Sequence, residues 1–395
     1  MGLPVSVHRS DTKMRVGRYI AITVGASALL VSGVAPAAAG TLPTSGTAAG
    51  AASQAGHDQK QVPLRKVAPK GFAIGVAVAG GGHHLDQEYP DPFKYDEEYR
   101  GVLAKHFNSV TPENHLKWDF VHPERKKYNF GPADQIVKFA QSNGQKVRGH
   151  TLVWHSQNPD WLTKGKFSKK ELRKILKEHI ITVVGRYRGK IHQWDVANEI
   201  FDDNGKLRTN ENIWLKNFGP EIIADAFRWA HQADPKAKLF LNDYGAEGIN
   251  KRSDAYLKFM KELRKKGVPV HGFGVQGHLS LAYPFPGDMA KNLKRFSDAG
   301  FEVAVTEVDV RIPLNGGDAT EAQLKTQADY YRRALEACLS VKSCNSFTLW
   351  GTTNKYSWVP VFFPDEGEAT IFWDDFSPKP AYTALQEALA KARRR

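Results

Sequence analysis

Short apolar runs alternate with amphipathic helical stretches from residue 63 to the end of the chain. We predict strands at 72–79, 107–112, 146–154, 191–199, 238–244, 272–279, 302–310 and 346–351. We predict helices near 97–106, 134–143, 169–187, 221–232, 252–266, 288–298, 322–339 and 382–391. Eight strands that are each followed by a helix indicate an α/β fold of the (β/α)8 barrel type, with one domain at 63–395.

Composition by itself leaves the architecture open, because 395 residues of which 41% are hydrophobic suit two ordinary domains as well as one barrel. The formal charge of +13 could indicate nucleic-acid binding, since clustered Lys and Arg release counterions from phosphate. Here the basic residues lie mostly in mixed-charge helical stretches such as 258–266, which is typical of a solvated helix face. We therefore expect no nucleic-acid partner.

The N-terminal region has the pattern of an export signal. Lys and Arg residues precede an apolar run at 19–34, and three alanines follow at 37–39. This pattern predicts a secretory signal peptide at 1–39, although a run of about 17–20 apolar residues could also remain as a membrane anchor. Gly and Ser within the run favour cleavage, so we expect an extracellular protein without membrane association. Residues 40–62 are rich in Gly, Ala, Ser and Thr and predict a flexible linker.

The chain has two cysteines, Cys338 and Cys344. In a secreted protein such a close pair favours a small-loop disulfide, whereas in a cytosolic protein two buried thiols are the usual state. The compartment therefore decides between the two.

Two of the predicted strands deliver carboxyl groups. The stretch Ile191–Ile200 closes on Asn198 and Glu199, and a second apolar run carries Glu307 and Asp309. Cleavage of a glycosidic bond needs one protonated carboxyl group to release the leaving sugar and one ionised carboxylate to capture the anomeric carbon. Either Glu alone could equally be an exposed strand-end residue or half of an ion pair. Asn198 and Glu199 can both enter one site only if their strand ends or bulges there.

Side-chain alternation predicts which residues face the site together. Gln276 and His278 share one face of the sixth predicted strand, and His150 and Trp154 share one face of the third. His155 has the opposite parity from His150, which argues against a metallohydrolase site in which several imidazoles converge on one ion.

Aromatic residues are dense near the strand ends, at Trp118, Trp154, Tyr244, Trp350 and Trp358. The flat C–H faces of sugars pack on such rings, so the pattern indicates a polysaccharide cleft. A single Trp could equally belong to the core, because Trp is usually well buried whatever its role.

Seven motifs occur in one order along the chain. They are T-P-E-N-x-x-K-W at 111–118, G-H-T-L-V-W-H at 149–155, W-D-V-x-N-E at 194–199, N-D-Y at 242–244, Q-G-H at 276–278, T-E-V-D at 306–309 and W-G-x-x-x-x-x-S-W at 350–358. With these motifs the chain resembles the secreted endo-β-1,4-xylanases of glycoside hydrolase family 10 over about 63–389. Departures from the family pattern at Ala197, His115 and Leu116 carry no charge chemistry.

The resemblance implies a retaining double displacement, with Glu199 as general acid/base and Glu307 as nucleophile. It also implies that His278 holds Glu307, that Asp309 lies behind the imidazole and that Asn198 contacts the 2-hydroxyl of the sugar. We expect the charge on Glu307 to raise the pKa of Glu199.

The resemblance further implies a set of substrate-binding residues. Those expected to line the glycone subsites are Glu113, Asn114, Lys117, His150, Trp154 and Gln157, joined by Gln276 in the site, Trp350 and Trp358 on the cleft floor and Tyr244 on the leaving-group side. Cys338 and Cys344 match a disulfide position of the family.

We therefore expect xylan and xylo-oligosaccharides as partners, a monomer, and chemistry that requires no cofactor or metal, with room for a structural Ca²⁺. One rival reading is a retaining β-glycosidase that acts on glucan or short xylosides. Others are a catalytically idle polysaccharide-binding protein and a basic nucleic-acid binder.

Overall fold

The structure is a computed structural model that describes residues 62–394, and in it eight parallel strands close into a barrel. The described residues form ten strands, of which β7 and β10 pair with β8 and lie outside the ring of eight. The ten are β1 Ala73–Val78, β2 Ser109–Pro112, β3 Lys146–Val153, β4 Gln193–Asn198, β5 Lys238–Asp243, β6 Gly272–Val275, β7 His278–Ser280, β8 Glu302–Pro313, β9 Cys344–Leu349 and β10 Glu366–Gly367. The barrel runs from β1 through β6 to β8 and β9, and β9 pairs with β1 to complete the ring. The predicted (β/α)8 fold is confirmed.

Helices cover the outside of the barrel, and a long helix follows each of its strands. These helices are α3 Glu97–His106, α5 Gly131–Ser142, α7 Lys169–Arg186, α9 Glu221–Ala233, α10 Lys251–Lys265, α11 Met289–Asp298, α12 Glu321–Leu339 and α14 Pro380–Arg393. Short helices occupy the connections, at α1 Leu64–Val67, α2 Pro92–Tyr95, α4 Trp118–Val121, α6 Asp160–Thr163, α8 Ile213–Phe218 and α13 Val359–Phe362, with 3₁₀ turns at Gly82–Asp86 and Asn354–Tyr356.

Local sequence explains these elements. Every residue of β1 (AIGVAV) and β4 (QWDVAN) is buried, because one face fills the barrel and the other meets the helices. Helix α7 begins at a capping box in which Ser168 and Glu171 satisfy each other's backbone N–H groups. Gly149 in β3 allows the closest approach between strands, because a Cβ there would lie 2.3 Å from the Trp194 ring.

Two predicted strands differ from the structure. The sixth, predicted as one strand over 272–279, is wrong: β6 ends at Val275 and β7 begins at His278. Between them Gly277 has φ +81°, a left-handed conformation that interrupts the pleat and suits glycine. The seventh runs on to Pro313, where β10 pairs with it in antiparallel orientation.

The disulfide expected from the family resemblance is present, since Cys338 in α12 is bonded to Cys344 at the start of β9. The signal peptide predicted at 1–39 and nearly all of the linker predicted at 40–62 lie outside the described residues. Within 62–394, no helix combines the length and the apolar character needed to cross a bilayer.

Candidate active site

Glu199 is the first residue after β4 and has φ +55°, so the chain leaves the strand direction at this point. Its backbone N–H still donates to Asn242 O at 2.9 Å, which fixes the turn against β5. Because the strand ends here, Asn198 and Glu199 enter the same site although they are neighbours in sequence. The carboxylate Oε2 accepts a hydrogen bond from Trp154 Nε1 at 2.8 Å, and Oε1 accepts one from Gln276 Nε2 at 3.0 Å.

Glu307 lies within β8 and faces the same end of the barrel. Its Oε1 accepts a hydrogen bond from Asn242 Nδ2 at 2.7 Å, and its Oε2 lies 3.2 Å from His278 Nε2. The other ring nitrogen of His278 lies 2.8 Å from Asp309 Oδ2, which also accepts a hydrogen bond from Trp358 Nε1 at 2.8 Å. The imidazole therefore bridges two carboxylates of one strand, as the resemblance implies.

Three amide side chains connect the two glutamates. Asn242 Nδ2, which donates to Glu307, also donates to Asn198 Oδ1 at 2.9 Å. Asn198 Nδ2 donates to Glu199 Oε1 at 3.0 Å, and Gln276 Nε2 contacts both Asn198 Oδ1 and Glu199 Oε1. The two carboxyl groups thus belong to one buried hydrogen-bond network, which fixes their mutual position.

The pKa of Glu199 differs from the sequence-based expectation. Burial by itself raises this pKa, but a protonated His155 and the hydrogen bonds from Gln276 and Trp154 outweigh it, and the net direction is downward. Burial also lowers the pKa of His155, so at neutral pH that imidazole is uncharged, and the hydrogen bonds from Gln276 and Trp154 and the charge of Arg208 remain. While His155 is charged, the expectation of a raised pKa is therefore wrong; at neutral pH, where His155 is uncharged, that expectation stays a prediction.

His278 carries the opposite shift. Burial alone would lower its pKa, but the carboxylates of Asp309 and Glu307 raise it to about 10. At neutral pH the ring is an imidazolium that donates from both nitrogens. Glu307 therefore faces a fixed positive charge.

A second polar group lies beyond β1 and β2. Glu113 is 4% exposed, and its Oε2 lies 3.1 Å from His84 Nε2. Lys117 Nζ donates to Asn114 Oδ1 at 3.1 Å, and Gln157 Nε2 contacts the same oxygen at 3.2 Å. The structure thus brings together four of the residues that the family resemblance predicts for the glycone subsites.

The Lys117 ammonium links this group to the carboxyl pair. It lies 5.0 Å from the centroid of the Trp154 ring and 5.9 Å from that of Trp350. Burial lowers its pKa, partly offset by the nearby Glu113 and Glu307 charges.

His150 is oriented by a buried ion pair. Its Nδ1 lies 3.0 Å from Asp195 Oδ2, and the Arg148 guanidinium binds the same carboxylate through Nε at 3.1 Å and through Nη2. Burial raises the pKa of Asp195, but Arg148 and His150 outweigh it and keep this pKa low. The second nitrogen of His150 is thereby left free for a ligand.

Aromatic rings border the polar network. The Trp350 ring centroid is 5.3 Å from that of His150, and the Trp358 ring centroid is 5.0 Å from that of His278. On the other side, the Tyr244 hydroxyl accepts a hydrogen bond from Arg208 Nη2 at 2.7 Å. Aromatic rings and amide side chains therefore lie around both glutamates.

Two sequence-based placements are wrong. Trp118 is a core residue, since it is 2% exposed, stacks on His179 at 3.5 Å and donates from Nε1 to Leu152 O. Strand parity separates His155 from the face of His150, yet its Nε2 lies 3.8 Å from Glu199 Oε2. Strand β3 ends at Val153, so alternation no longer applies to His155.

Several residues of the site were missed as members of it. Asn242 bridges the two carboxyl groups although it was read only as part of a motif, and Arg148 with Asp195 orients His150. His84 was missed as well. The sequence carries a signal for it, because three consecutive glycines before a pair of histidines are unusual and predict a tight turn.

A family model with the description "Glycosyl hydrolase family 10" matches residues 64–388. Endo-1,4-beta-xylanase B of Thermotoga neapolitana is 44% identical over 330 residues, which span 84% of this chain and 92% of that protein. Beta-1,4-xylanase of Dictyoglomus thermophilum is 43% identical over 329 residues, 81% of this chain and 89% of that protein. The structure of xylanase 10B from Thermotoga petrophila RKU-1 in complex with xylobiose has a TM-score of 0.78 at 42% identity, covering 85% of this chain and 99% of that one.

Proposed function

The chain belongs to glycosyl hydrolase family 10, a family of retaining endo-1,4-β-xylanases, and we propose that it hydrolyses internal xylosidic linkages with Glu199 and Glu307. Glu307 acts as the nucleophile and Glu199 as the general acid/base. The observation that carries these assignments is the charge environment of the pair: an imidazolium and an amide hold Glu307, whereas only neutral donors reach Glu199 at neutral pH.

In the first step, a Glu307 oxygen attacks the anomeric carbon and the bond to the glycosidic oxygen breaks. The electron pair goes to that oxygen, which takes the proton of Glu199, and the leaving chain departs. The imidazolium of His278 holds the Glu307 side chain in position until it reacts. Asn198 donates to the 2-hydroxyl of the sugar that bears the reacting carbon, where such contacts strengthen in the transition state.

In the second step Glu199 acts as a base. The covalent ester at Glu307 carries no charge, so Glu199 ionises more readily and removes a proton from the water that attacks the anomeric carbon. The bond from that carbon to Glu307 breaks, and its electron pair returns to the Glu307 carboxylate. Before the first step it needs the opposite state. Sugar that fills the cleft removes the remaining water around the 7%-exposed Glu199, and desolvation raises its pKa.

The subsites follow from the polar groups on either side of the pair. On the glycone side lie Glu113, Asn114, Lys117, His150 and Gln157, whose charges and amides suit sugar hydroxyls. Trp154, Trp350 and Trp358 border the same side with rings, while Tyr244 serves the leaving-group side. We expect the two Trp rings of the C-terminal motif, Trp350 and Trp358, to leave no room for the hydroxymethyl group of a glucosyl unit, which favours xylose.

The protein acts outside the cell as a monomer on xylan and xylo-oligosaccharides, and residues 1–39 direct its export. The support is the basic, apolar and small-residue order of that segment together with the disulfide between Cys338 and Cys344, a bond typical of oxidising compartments. Detection of the cleaved chain in the medium, by N-terminal sequencing, tests this part.

Variants of the two glutamates test the roles. Glu307→Gln should lose several orders of magnitude in turnover of xylan while still binding xylo-oligosaccharides. Glu199→Ala should still form the covalent intermediate on substrates with good leaving groups, and azide should restore turnover with a product of β configuration. An α product would reverse the two roles, and normal turnover of Glu307→Gln would rule out the nucleophile.

Chromatography of early products separates the endo reaction from its rivals. A ladder of short oligomers from xylan indicates internal cleavage, whereas xylose alone from the start indicates an exo-acting enzyme. Equal rates on carboxymethylcellulose would contradict the xylose preference.

A further inference from the structure

Two histidines and a glutamate converge at the glycone end of the cleft. His83 and His84 lie on the 3₁₀ turn that follows β1, and Glu113 directly follows β2. His84 Nε2 is 3.1 Å from Glu113 Oε2, and His83 Nε2 is 3.7 Å from Glu113 Oε1. All three ligand atoms lie within 4.8 Å of one another.

We propose that His83, His84 and Glu113 bind a divalent transition-metal ion, with Zn²⁺ as the best fit. Zn²⁺ is bound by imidazole nitrogens and carboxylate oxygens at about 2.0–2.2 Å, usually in tetrahedral geometry. Donor atoms in such a site are roughly 3.3–3.5 Å apart, which follows from those bond lengths. The two measured separations of 3.1 and 3.7 Å bracket this value. Water would complete the fourth position.

The environment of His83 is evidence for a bound ion that is independent of the distances between the three side chains. The residue is 9% exposed, and its Nε2 is buried without a hydrogen-bond partner among the described residues. Buried polar atoms are rarely left unpaired, and each exception needs an explanation. An unpartnered buried nitrogen 3.7 Å from a carboxylate oxygen is explained by an ion bound between the two atoms. The protonation states agree, since burial lowers the pKa of His83 to about 4 and leaves the ring neutral.

The backbone before the histidines forms a turn with a conformation that glycine favours. Gly80, Gly81 and Gly82 all have positive φ, at +135°, +69° and +51°. A Cβ at Gly82 would lie 2.7 Å from the Asn114 side chain, so the turn lies directly against the loop that carries Glu113. Binding therefore requires little rearrangement, which favours affinity.

The donor set selects the kind of metal. Two imidazoles favour Zn²⁺, Cu²⁺ or Ni²⁺, whereas Ca²⁺ and Mg²⁺ prefer oxygen ligands. The Lys117 ammonium works against any cation here, but it donates its hydrogen bond to Asn114 and forms no ion pair with Glu113 in the described part of the chain.

A second cluster provides a contrast. His150, Asp195 and Glu307 also lie within 4.8 Å of one another. There the Arg148 guanidinium already binds Asp195, and the His278 imidazolium already binds Glu307. Fixed cations thus occupy the carboxylates of that group, and a metal ion would be repelled.

Occupation of the site should inhibit the enzyme. A metal bound to Glu113 withdraws this carboxylate from the glycone sugar, so inhibition should be competitive with xylan. This consequence rests on the proposed function, whereas binding of the ion does not.

The experiment is a titration of the purified, chelator-treated protein with Co²⁺ in the absence of sugar. Co²⁺ replaces Zn²⁺ in such sites, and its visible d–d absorption reports coordination by nitrogen and oxygen. We expect one equivalent to bind and Zn²⁺ to displace it. His83→Ala and His84→Gln should each raise the Kd at least about tenfold, since weaker perturbations of metal sites already cost that much. His231→Ala removes a histidine from a different pair of neighbouring histidines, with His271, and serves as the control.

Thermal unfolding of each variant shows that it is folded before its affinity is compared. Absence of saturable binding by the parent protein at millimolar Co²⁺ would overturn the proposal. So would equal affinities for the parent protein and both variants. A protein that binds the ion but does not cleave xylan would refute the proposed function and leave the metal site standing.

Discussion

Replacement of Asp309 by Asn should uncouple His278 from its main charge partner. The His278 side chain is 12% exposed, and the carboxylates of Asp309 and Glu307 raise its pKa from 6.5 to about 10. That difference corresponds to about 5 kcal/mol between the two protonation states. Because the folded-state pKa is the higher one, this stabilisation is complete below pH 6.5 and is lost as the pH rises through about 10.

In Asp309→Asn only Glu307 still stabilises the imidazolium. The pKa of His278 should then fall toward about 7–8, since one opposite charge accounts for about 1–3 pH units. At pH 7 the free energy of unfolding should fall by about 3–5 kcal/mol, the usual cost of removing one partner from a buried ion pair. The difference between the variant and the parent protein should shrink at pH 10, where the parent imidazolium also loses its proton.

Nitrogen-15 NMR of the histidine ring gives the pKa directly, and urea unfolding at pH 7 and pH 10 gives the free energies. Asp254→Asn is the matched control, because Asp254 is 60% exposed in its ion pair with Arg295 and should change stability by no more than about 0.5 kcal/mol. A His278 pKa that stays near 10 in Asp309→Asn would refute the reasoning, as would an unchanged pH dependence of stability.

Two further predictions concern the acid/base and the disulfide. Trp154→Phe removes a donor that lowers the pKa of Glu199, so this pKa should rise and the alkaline limb of kcat/KM should move to higher pH. pH–rate profiles check this, and a move to lower pH would contradict it. Replacement of Cys338 and Cys344 by Ala opens a short loop and should reduce the free energy of unfolding by about 2 kcal/mol, measured by urea denaturation. Unchanged stability would mean that the loop is equally ordered without the bond.

The local sequence pattern was sufficient to predict most of the helices and strands of the barrel. Helix α3 begins and ends where the sequence predicts, at Glu97 and His106, because its apolar spacing and its Asp96 cap lie within one short segment. The sixth strand was predicted as continuous because apolar residues lie on both sides of Gly277. Its interruption depends on the left-handed φ of that glycine, which periodicity does not reveal.

Alternation failed where strands end. It placed Gln276 and His278 on one face, and both do reach the site, but from opposite sides of a break. It also turned His155 away, whereas the chain beyond β3 brings that ring to Glu199. The parity rule holds only while a strand continues, and functional residues concentrate just past its end.

The sequence by itself determined the (β/α)8 fold, the order of the motifs and the identity of the two glutamates as candidates, because each depends on residues close together in the chain. Only the tertiary structure decided how these residues act on one another. The direction of the Glu199 pKa, the imidazolium at His278 and the meeting of His83 and His84 with Glu113 arise from groups on different strands and connecting loops. Electrostatic and hydrogen-bond energies depend on distances of a few ångströms, and barrel closure sets those distances.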